Sequence, residues 1–314
     1  MDCLEKLPVT ELCTLDLHTH SSYSDGTDRP LEIVRKAKEL GLEKIALTDH
    51  DVIDGWEEFL DADIGIKTIP GVELSIDDLD GIKGIHLLGY FNPDHPNFAQ
   101  TKEELLEYGS NCKDARRQRL DKIIFLLKQE GLVINRDDVL QEAKGEVVAR
   151  PHIANVIYRT YSERFQNLRQ VYVEYLGNEG KAYVSIEDRL GLGPGIVLIK
   201  KLGGTAILAH PGVSNGKDKD VSKGKRLLIE ALALGADGAE GFYLYHKNDP
   251  YRGTDFATSS LSANLSVIFS SILLSFGKIV SAGSDYHGGN KNIALGEHRE
   301  VIKDYFGQDG GKRK

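Results

Sequence analysis

Short apolar runs in this chain are followed, one after another, by residues that can bind a metal ion. The first run, residues 13–17, leads directly into His18 and His20. Side chains alternate across a strand with a period of two, so both imidazoles can point the same way and reach one ion. Another run, residues 84–89, carries His86 inside it. The remaining runs end in Thr48-Asp49-His50, Pro70-Gly71-Val72-Glu73, Ala209-His210-Pro211 and Ser284-Asp285-Tyr286-His287.

The position of these residues, after rather than before their strands, predicts the kind of fold. In a barrel of alternating strands and helices, the active site is built at the C-terminal ends of the strands. The recurring pattern therefore favours an α/β barrel with a metal site at one end. Imidazole and carboxylate ligands without thiolates suit manganese, iron or zinc, and they do not suit an iron–sulfur cluster.

Six short motifs in the chain occur together in one known family. They are D-L-H-x-H-S from Asp16, S-D-G from Ser24, T-D-H from Thr48, P-G-x-E from Pro70, A-H-P from Ala209 and G-S-D-x-H from Gly283. By these motifs the chain resembles the PHP (polymerase and histidinol phosphatase) superfamily, and within it the 3',5'-nucleoside bisphosphate phosphatases and related 5'-to-3' exoribonucleases. The resemblance implies a distorted (β/α)7 barrel that holds a trinuclear metal centre.

The resemblance also implies two or three divalent metal ions, with manganese expected first and iron or zinc as alternatives. The first ion would take His18, His20, Glu73 and Asp285, the second Asp25, His50 and His287, and the third Glu73, His86 and His210. Asp49 is predicted instead to orient a ligand histidine through its other ring nitrogen. Glu240, at the end of a further strand, is predicted to do the same or to contact the substrate, with a helix-start carboxylate as the competing interpretation.

The alternation of strand and helix stops between His95 and about residue 193. Helices are predicted there over residues 98–131, 136–144, 151–161 and 163–176, which indicates a helical insertion into the barrel. The predicted organisation is a metal-dependent barrel built from residues 12–96 and 194–306, with residues 97–193 forming a lid over the substrate.

Basic residues of this insertion are candidate substrate-binding groups. Arg116 shares a helical face with Leu120, so it is predicted to point inward and to need an anionic partner. Arg119 is less well aligned, and a solvated or ion-paired side chain is the competing interpretation. Arg150 and His152 flank a proline at a predicted helix start, where backbone donors favour an anion. Together they predict a lid that binds a second phosphate away from the reacting one.

Composition narrows the class of partner. A net charge of -9 and a pI near 5.6 argue against a protein that coats duplex nucleic acid, because such a protein would carry a basic surface.

The apolar stretch at residues 261–276 is shorter than the ~20 residues needed to span a bilayer, so an outer-layer helix is predicted instead. The three cysteines lack C-x-x-C spacing, and the first residues lack a secretory signal. We therefore expect a cytoplasmic enzyme with a small phosphorylated substrate.

The predicted reaction is hydrolysis of a phosphate monoester, either the 3'-phosphate of a nucleoside 3',5'-bisphosphate or the 5' end of a short oligonucleotide. A hydroxide bridging two metal ions would attack phosphorus in line, because metal binding lowers the pKa of water from 15.7 towards ~7. Three alternatives remain at this stage. They are a histidinol-phosphate-type phosphatase, an amidohydrolase with a different ligand order, and a non-catalytic metal-stabilised module that binds a partner.

Overall fold

The computed structural model describes residues 8–62, 64–143, 147–186 and 189–308. At its centre is one seven-stranded sheet whose strands follow each other in chain order. The strands are β1 (Leu15–Asp16), β2 (Lys44–Leu47), β3 (Lys67–Ile76), β4 (Ile85–Tyr90), β5 (Thr205–Leu208), β6 (Gly238–Phe242) and β7 (Ile279–Ala282). The N-terminal residues on which the expected lack of a secretory signal depends lie outside the described part.

The sheet curls into a nearly closed barrel, because its first and last strands meet. The Leu17 amide donates to the Ala282 carbonyl over 3.2 Å, and Thr19 forms a parallel bridge with Tyr286 just beyond the strand ends. Strands β1 to β3 are mutually parallel, as are β5 to β7. The predicted α/β class and the distorted seven-stranded barrel are confirmed.

Strand β4 runs antiparallel to both of its neighbours, and this reversal distorts the barrel. A parallel strand pair needs a crossover of a dozen or more residues, whereas only residues 77–84 join β3 to β4. The reversal explains why His86 stands inside its apolar run. As the second residue of a reversed strand, it lies at the same end of the barrel as the residues that follow the other strands.

Ten α-helices accompany the strands in the described part of the chain. They are α1 (Pro30–Glu39), α2 (Trp56–Leu60), α3 (Phe98–Gln129), α4 (Arg136–Glu142), α5 (Arg150–Thr160), α6 (Leu168–Val171), α7 (Leu192–Lys201), α8 (Val221–Ala233), α9 (Ser259–Ser275) and α10 (His298–Gln308). None of the described helices is both long and apolar enough to cross a membrane. Helix α9 contains the apolar stretch and buries Leu265, Phe269 and Leu273 against the barrel, as predicted.

The insertion between β4 and β5 has an apolar core of its own. Leu120 and Ile123 of α3 pack there with Ile153 and Ile157 of α5, separate from the cluster that fills and surrounds the barrel. The N-terminal part of α3 packs on the barrel cluster through Leu105, so this long helix belongs to both cores. The exact division at residues 97 and 193 stays a prediction.

The helix predicted over residues 163–176 is wrong in its first part. The Asn167 side chain accepts a hydrogen bond from the Gln170 amide at 3.1 Å, so α6 begins only at Leu168. After one α-helical turn the chain continues as a π-helical turn over Tyr172–Leu176. Such wide turns occur mostly as single turns and frequently at functional sites.

Candidate metal centre

Nine histidine and carboxylate side chains meet at one end of the barrel, and each is delivered by a strand or the loop after it. A Cβ atom at Gly283 would lie only 2.3 Å from the Cβ of His18, so glycine there lets the loop after β7 pass close to β1. The groups with ligand atoms within 4.8 Å of one another are His20-Asp25-His50-His287, His18-His20-Asp285, His18-Glu73-His210 and His50-Glu73-His86.

Glu73, in the middle of β3, is the hub of these groups. Its Oε1 lies 2.9 Å from His86 Nδ1 and 3.1 Å from His210 Nε2. Its Oε2 lies 2.9 Å from His50 Nδ1 and 3.2 Å from His20 Nε2. Burial alone would raise the pKa of this carboxyl, but the surrounding imidazoles outweigh burial and hold the pKa well below its ordinary value. A carboxylate with histidines on both oxygens is suited to bridge metal ions.

The other two carboxylates, Asp25 and Asp285, lie beside the His20 and His287 rings. Asp25 Oδ1 lies 3.1 Å from His287 Nε2 and 3.9 Å from His20 Nδ1. Asp285 Oδ1 lies 3.4 Å from His20 Nε2 and 3.3 Å from His287 Nδ1. Asp285 also has a positive φ of 57°, a conformation that costs energy outside glycine and that clusters at functional sites.

The donor set fits a group of metal ions. Buried polar atoms are nearly always hydrogen-bonded, yet several buried atoms of this cluster have no hydrogen-bond partner among the residues that the structure describes. They are His20 Nδ1, Asp25 Oδ1, His50 Nδ1, Glu73 Oε2 and His210 Nδ1. In addition, the Nε2 atoms of His18 and His20 face each other at 3.1 Å. A bound cation would give these converging ring nitrogens and carboxylate oxygens a partner.

The structure brings all nine predicted metal-binding residues together, with a grouping slightly different from the predicted one. His20 joins the group of Asp25, His50 and His287. Glu73 belongs to two groups, one with His18 and His210 and the other with His50 and His86. The assignment of individual ligands to individual ions stays a prediction.

Glu240, on β6, hydrogen-bonds two of the candidate ligands from behind. Its Oε1 lies 3.1 Å from His18 Nδ1, and its Oε2 accepts from the His210 amide at 2.8 Å. A carboxylate on the second ring nitrogen fixes the tautomer and the orientation of a ligand histidine. Of the interpretations open for Glu240 from the sequence, the histidine-orienting one matches these contacts.

Asp49 does not orient a histidine, so that prediction is wrong. Its carboxylate accepts from the Ser21 amide at 2.8 Å, from Ser21 Oγ at 2.6 Å and from Ser24 Oγ at 2.5 Å. Asp49 lies just beyond the end of β2 and reaches the neighbouring loop after β1 instead of the centre. It thereby holds the loop that carries Asp25.

We expect Glu240→Gln to weaken metal binding about 10- to 100-fold, the range typical of groups that orient ligand histidines. The glutamine amide can accept one hydrogen bond through its oxygen, but its NH2 group cannot accept from the His210 amide. The affinity for manganese is measured by letting the protein compete with a coloured chelator for the ion. Glu130→Gln, at an exposed Glu130–Lys181 pair, is the control. Wild-type affinity in Glu240→Gln would contradict the orienting role.

The predicted substrate-binding residues of the insertion have different partners. Arg116 is buried, as predicted, and its Nη2 donates to the Asp51 carboxylate and to Ser75 Oγ at 3.2 Å, so its anionic partner belongs to the barrel. Arg150 Nη1 donates to Asn178 Oδ1 at 2.9 Å. His152 Nδ1 accepts from the Ala149 amide at 3.1 Å at the start of α5.

Arg119 is buried among other arginines. Its Nε donates to the Val184 carbonyl at 2.7 Å, and no carboxylate among the described residues pairs with it. Burial, and after it the charges of Arg150, Arg116 and Arg189, lower its pKa to about 9. Mutually repelling guanidinium groups need an anion nearby.

Sequence reasoning missed Arg189, which belongs to the same group. Its Nε is buried without a hydrogen-bond partner in the described part of the chain. It lies just before Leu190, which bridges to Ile76 at the end of β3. No periodic pattern surrounds it, so only the folded structure brings it to Arg116 and Arg150.

A barrel with six histidines and three carboxylates converging at one end is the architecture of a metal-dependent hydrolase. The chain belongs to the PHP domain family, whose model matches residues 16–183, and it is a metal-dependent phosphoesterase of that family. The family resemblance noted from the motifs is confirmed.

Three similar proteins indicate the range of this family. A 5'-3' exoribonuclease from Haemophilus influenzae is 35% identical over 227 residues, 72% of this chain and 77% of that protein. A 3',5'-nucleoside bisphosphate phosphatase from Chromobacterium violaceum is 28% identical over 285 residues, 88% of each chain. A solved structure from Bifidobacterium adolescentis, described as a metal-dependent phosphoesterase, is 25% identical with a TM-score of 0.71 over 94% of this chain and 96% of that one.

Proposed function

We propose that this phosphoesterase removes the 3'-phosphate of nucleoside 3',5'-bisphosphates, with the 5' ends of short oligonucleotides as its other substrates. The observation that carries the proposal is the group of arginines that the insertion brings beside the metal centre. Two relatives named for these substrates support it, one of them similar over 88% of both chains.

The insertion lies close enough to the centre to act on the same substrate molecule. The negative charge of Asp25 contributes to the pKa of both His152 and Tyr172, which belong to the insertion. Arg116 likewise lies beside Asp51, which directly follows the candidate ligand His50. We therefore expect the arginines to lie within reach of the second phosphate of a substrate held at the metal centre.

The arginines have donors to offer an anion. Arg150 uses only Nη1 in its hydrogen bonds to described residues, to Asn178 and to the Leu176 carbonyl. Its planar guanidinium can then hold a phosphate bidentately through the remaining nitrogens. Arg119 and Arg189 add positive charge in a buried setting, where screening by solvent is weak. We therefore expect this enzyme to prefer substrates with two phosphates.

Different residues of the chain have different roles in the proposed reaction. The nine residues of the centre would hold the metal ions, and Glu240 would keep His18 and His210 in their ligating orientation. Bound divalent ions, which we propose to be manganese, would activate water and neutralise charge on the phosphate oxygens. Arg150 and Arg119 would hold the distal phosphate and so fix which ester faces the centre.

A substrate panel tests the proposal. With manganese-loaded protein, we expect a nucleoside 3',5'-bisphosphate to release phosphate at least ~10-fold faster at low substrate concentration than a 3'- or 5'-monophosphate, because one charge-assisted hydrogen bond alone is worth ~1.5 to 3 kcal/mol. Chromatography should identify the nucleoside 5'-monophosphate as the product. Faster turnover of histidinol phosphate, or release of the 5'-phosphate first, would contradict the proposal.

A further inference from the structure

The two oxygens of Asp285 have different surroundings. Oδ1 faces the candidate ligands, at 3.4 Å from His20 Nε2 and 3.7 Å from His18 Nε2. Oδ2 faces away from them and accepts two hydrogen bonds, from Tyr243 Oη and from Lys291 Nζ, each at 2.5 Å. The carboxylate is therefore held by one oxygen and offers the other.

Both donors to Oδ2 are fixed in place. Tyr243 is fully buried, with its ring centroid 5.1 Å from that of His210 and 5.0 Å from that of Tyr245. Lys291 follows a short turn in which Asn290 Nδ2 donates to the Asp25 carbonyl at 2.7 Å. The turn thus ties the ammonium group to the loop that carries a second candidate ligand.

We infer that Tyr243 and Lys291 are positioning residues that restrict Asp285 to one ligating oxygen, and that the Lys291 charge tunes the metal centre. A free carboxylate can bind a metal ion through one oxygen or both, and donors on Oδ2 remove the second mode. An ammonium group on a ligand carboxylate also repels a cation bound by that carboxylate. The centre would therefore bind its metal less tightly than its ligands alone allow, while gaining positive charge towards an anionic phosphate.

The two donors should thus have opposite effects on metal affinity. Tyr243→Phe removes a neutral donor and frees Asp285 to turn, so metal binding should weaken about 10-fold. Lys291→Met removes the repelling charge while Tyr243 still holds Oδ2, so metal binding should tighten roughly 10-fold, the effect of one charge a few ångströms away in a well-screened site. A merely structural role for Lys291 predicts weaker binding instead.

The experiment measures manganese affinity on chelator-stripped full-length protein. Wild type, Tyr243→Phe, Lys291→Met and Lys291→Arg are titrated against a competing chelator, and thermal unfolding of each metal-free variant checks its folding. Lys291→Arg keeps the charge and should bind manganese as wild type does. Lys200→Met is the matched control, because Lys200 also pairs with an aspartate, Asp237, at 2.6 Å, but beside the opposite end of β6.

Weaker or unchanged manganese binding in folded Lys291→Met would overturn the inference. If that variant does not fold, tighter or much weaker binding by Lys291→Arg than by wild type would overturn it. The inference depends on the proposed metal centre but not on the proposed substrate. A wild-type protein that binds no manganese would refute the centre itself, whereas wild-type binding with the wrong sign in Lys291→Met refutes only the role of Lys291.

Discussion

Replacing Glu73 with glutamine should remove most of the bound metal and lower phosphate release by at least ~100-fold. Loss of a group that merely orients a ligand already lowers metal affinity or activity about 10- to 100-fold. Glu73 contacts more candidate ligands than any other carboxylate of the centre. Glutamine has nearly the same shape, but it is neutral and places an NH2 donor where an anionic oxygen faced imidazoles. The change therefore removes the charge with little change in volume.

Elemental analysis after gel filtration, paired with a phosphate-release assay, measures both effects in one preparation. Glu300→Gln serves as the control, because Glu300 is exposed and pairs with Lys303 on the same helix, away from the centre. If Glu73→Gln keeps its full metal content while losing activity, Glu73 acts on the substrate and does not hold the ions. Full activity with full metal content would exclude it from the centre altogether.

Much of the barrel end could be predicted from the sequence because the informative residues stand next to apolar runs. His18 and His20 lie just beyond β1 on extended chain, so their shared direction follows from strand periodicity. The reversal of β4 could not be predicted in this way, since a short apolar run carries no signal of strand direction. His86 consequently looked like an exception until the antiparallel pairing placed it with the others.

The residues that support the centre were harder to predict, because their partners are distant in the chain. Glu240 contacts His18 across 222 positions, and Tyr243 contacts Asp285 across 42. Asp49 was misassigned for the related reason that its two serine partners lie in a loop whose path the sequence does not reveal. Charge and residue type identify such groups as candidates, but only the closed barrel determines what each one touches.

The insertion is the least predictable part of the site, since helical periodicity identifies inward faces but not the partners that meet there. Arg116 was predicted to need an anion, and the barrel itself provides Asp51. Arg189, in a stretch without periodicity, was not predicted at all. The proposed second phosphate site therefore depends on arginines from separate segments, and mutation of one arginine at a time is the direct way to examine it.

Arg150→Ala should lower kcat/KM for a nucleoside 3',5'-bisphosphate about 10- to 150-fold, which corresponds to one charge-assisted hydrogen bond of ~1.5 to 3 kcal/mol. The variant should hydrolyse a simple aryl phosphate at nearly the wild-type rate, because that substrate has no second phosphate to lose. Its metal content should not change, since Arg150 contacts Asn178 and the Leu176 carbonyl rather than the candidate ligands.

Arg159→Ala is the matched control for this prediction. Arg159 lies on the same helix, α5, is largely exposed, and pairs with Glu142 at 2.9 Å, away from the arginine group. Steady-state kinetics on both substrates then separate the possibilities. Equal losses on the bisphosphate and the aryl phosphate would place Arg150 at the reacting phosphate, and no loss on either would leave it as a residue that only anchors the loop at Asn178. A loss confined to the bisphosphate, absent in Arg159→Ala, is the result that a distal phosphate site requires.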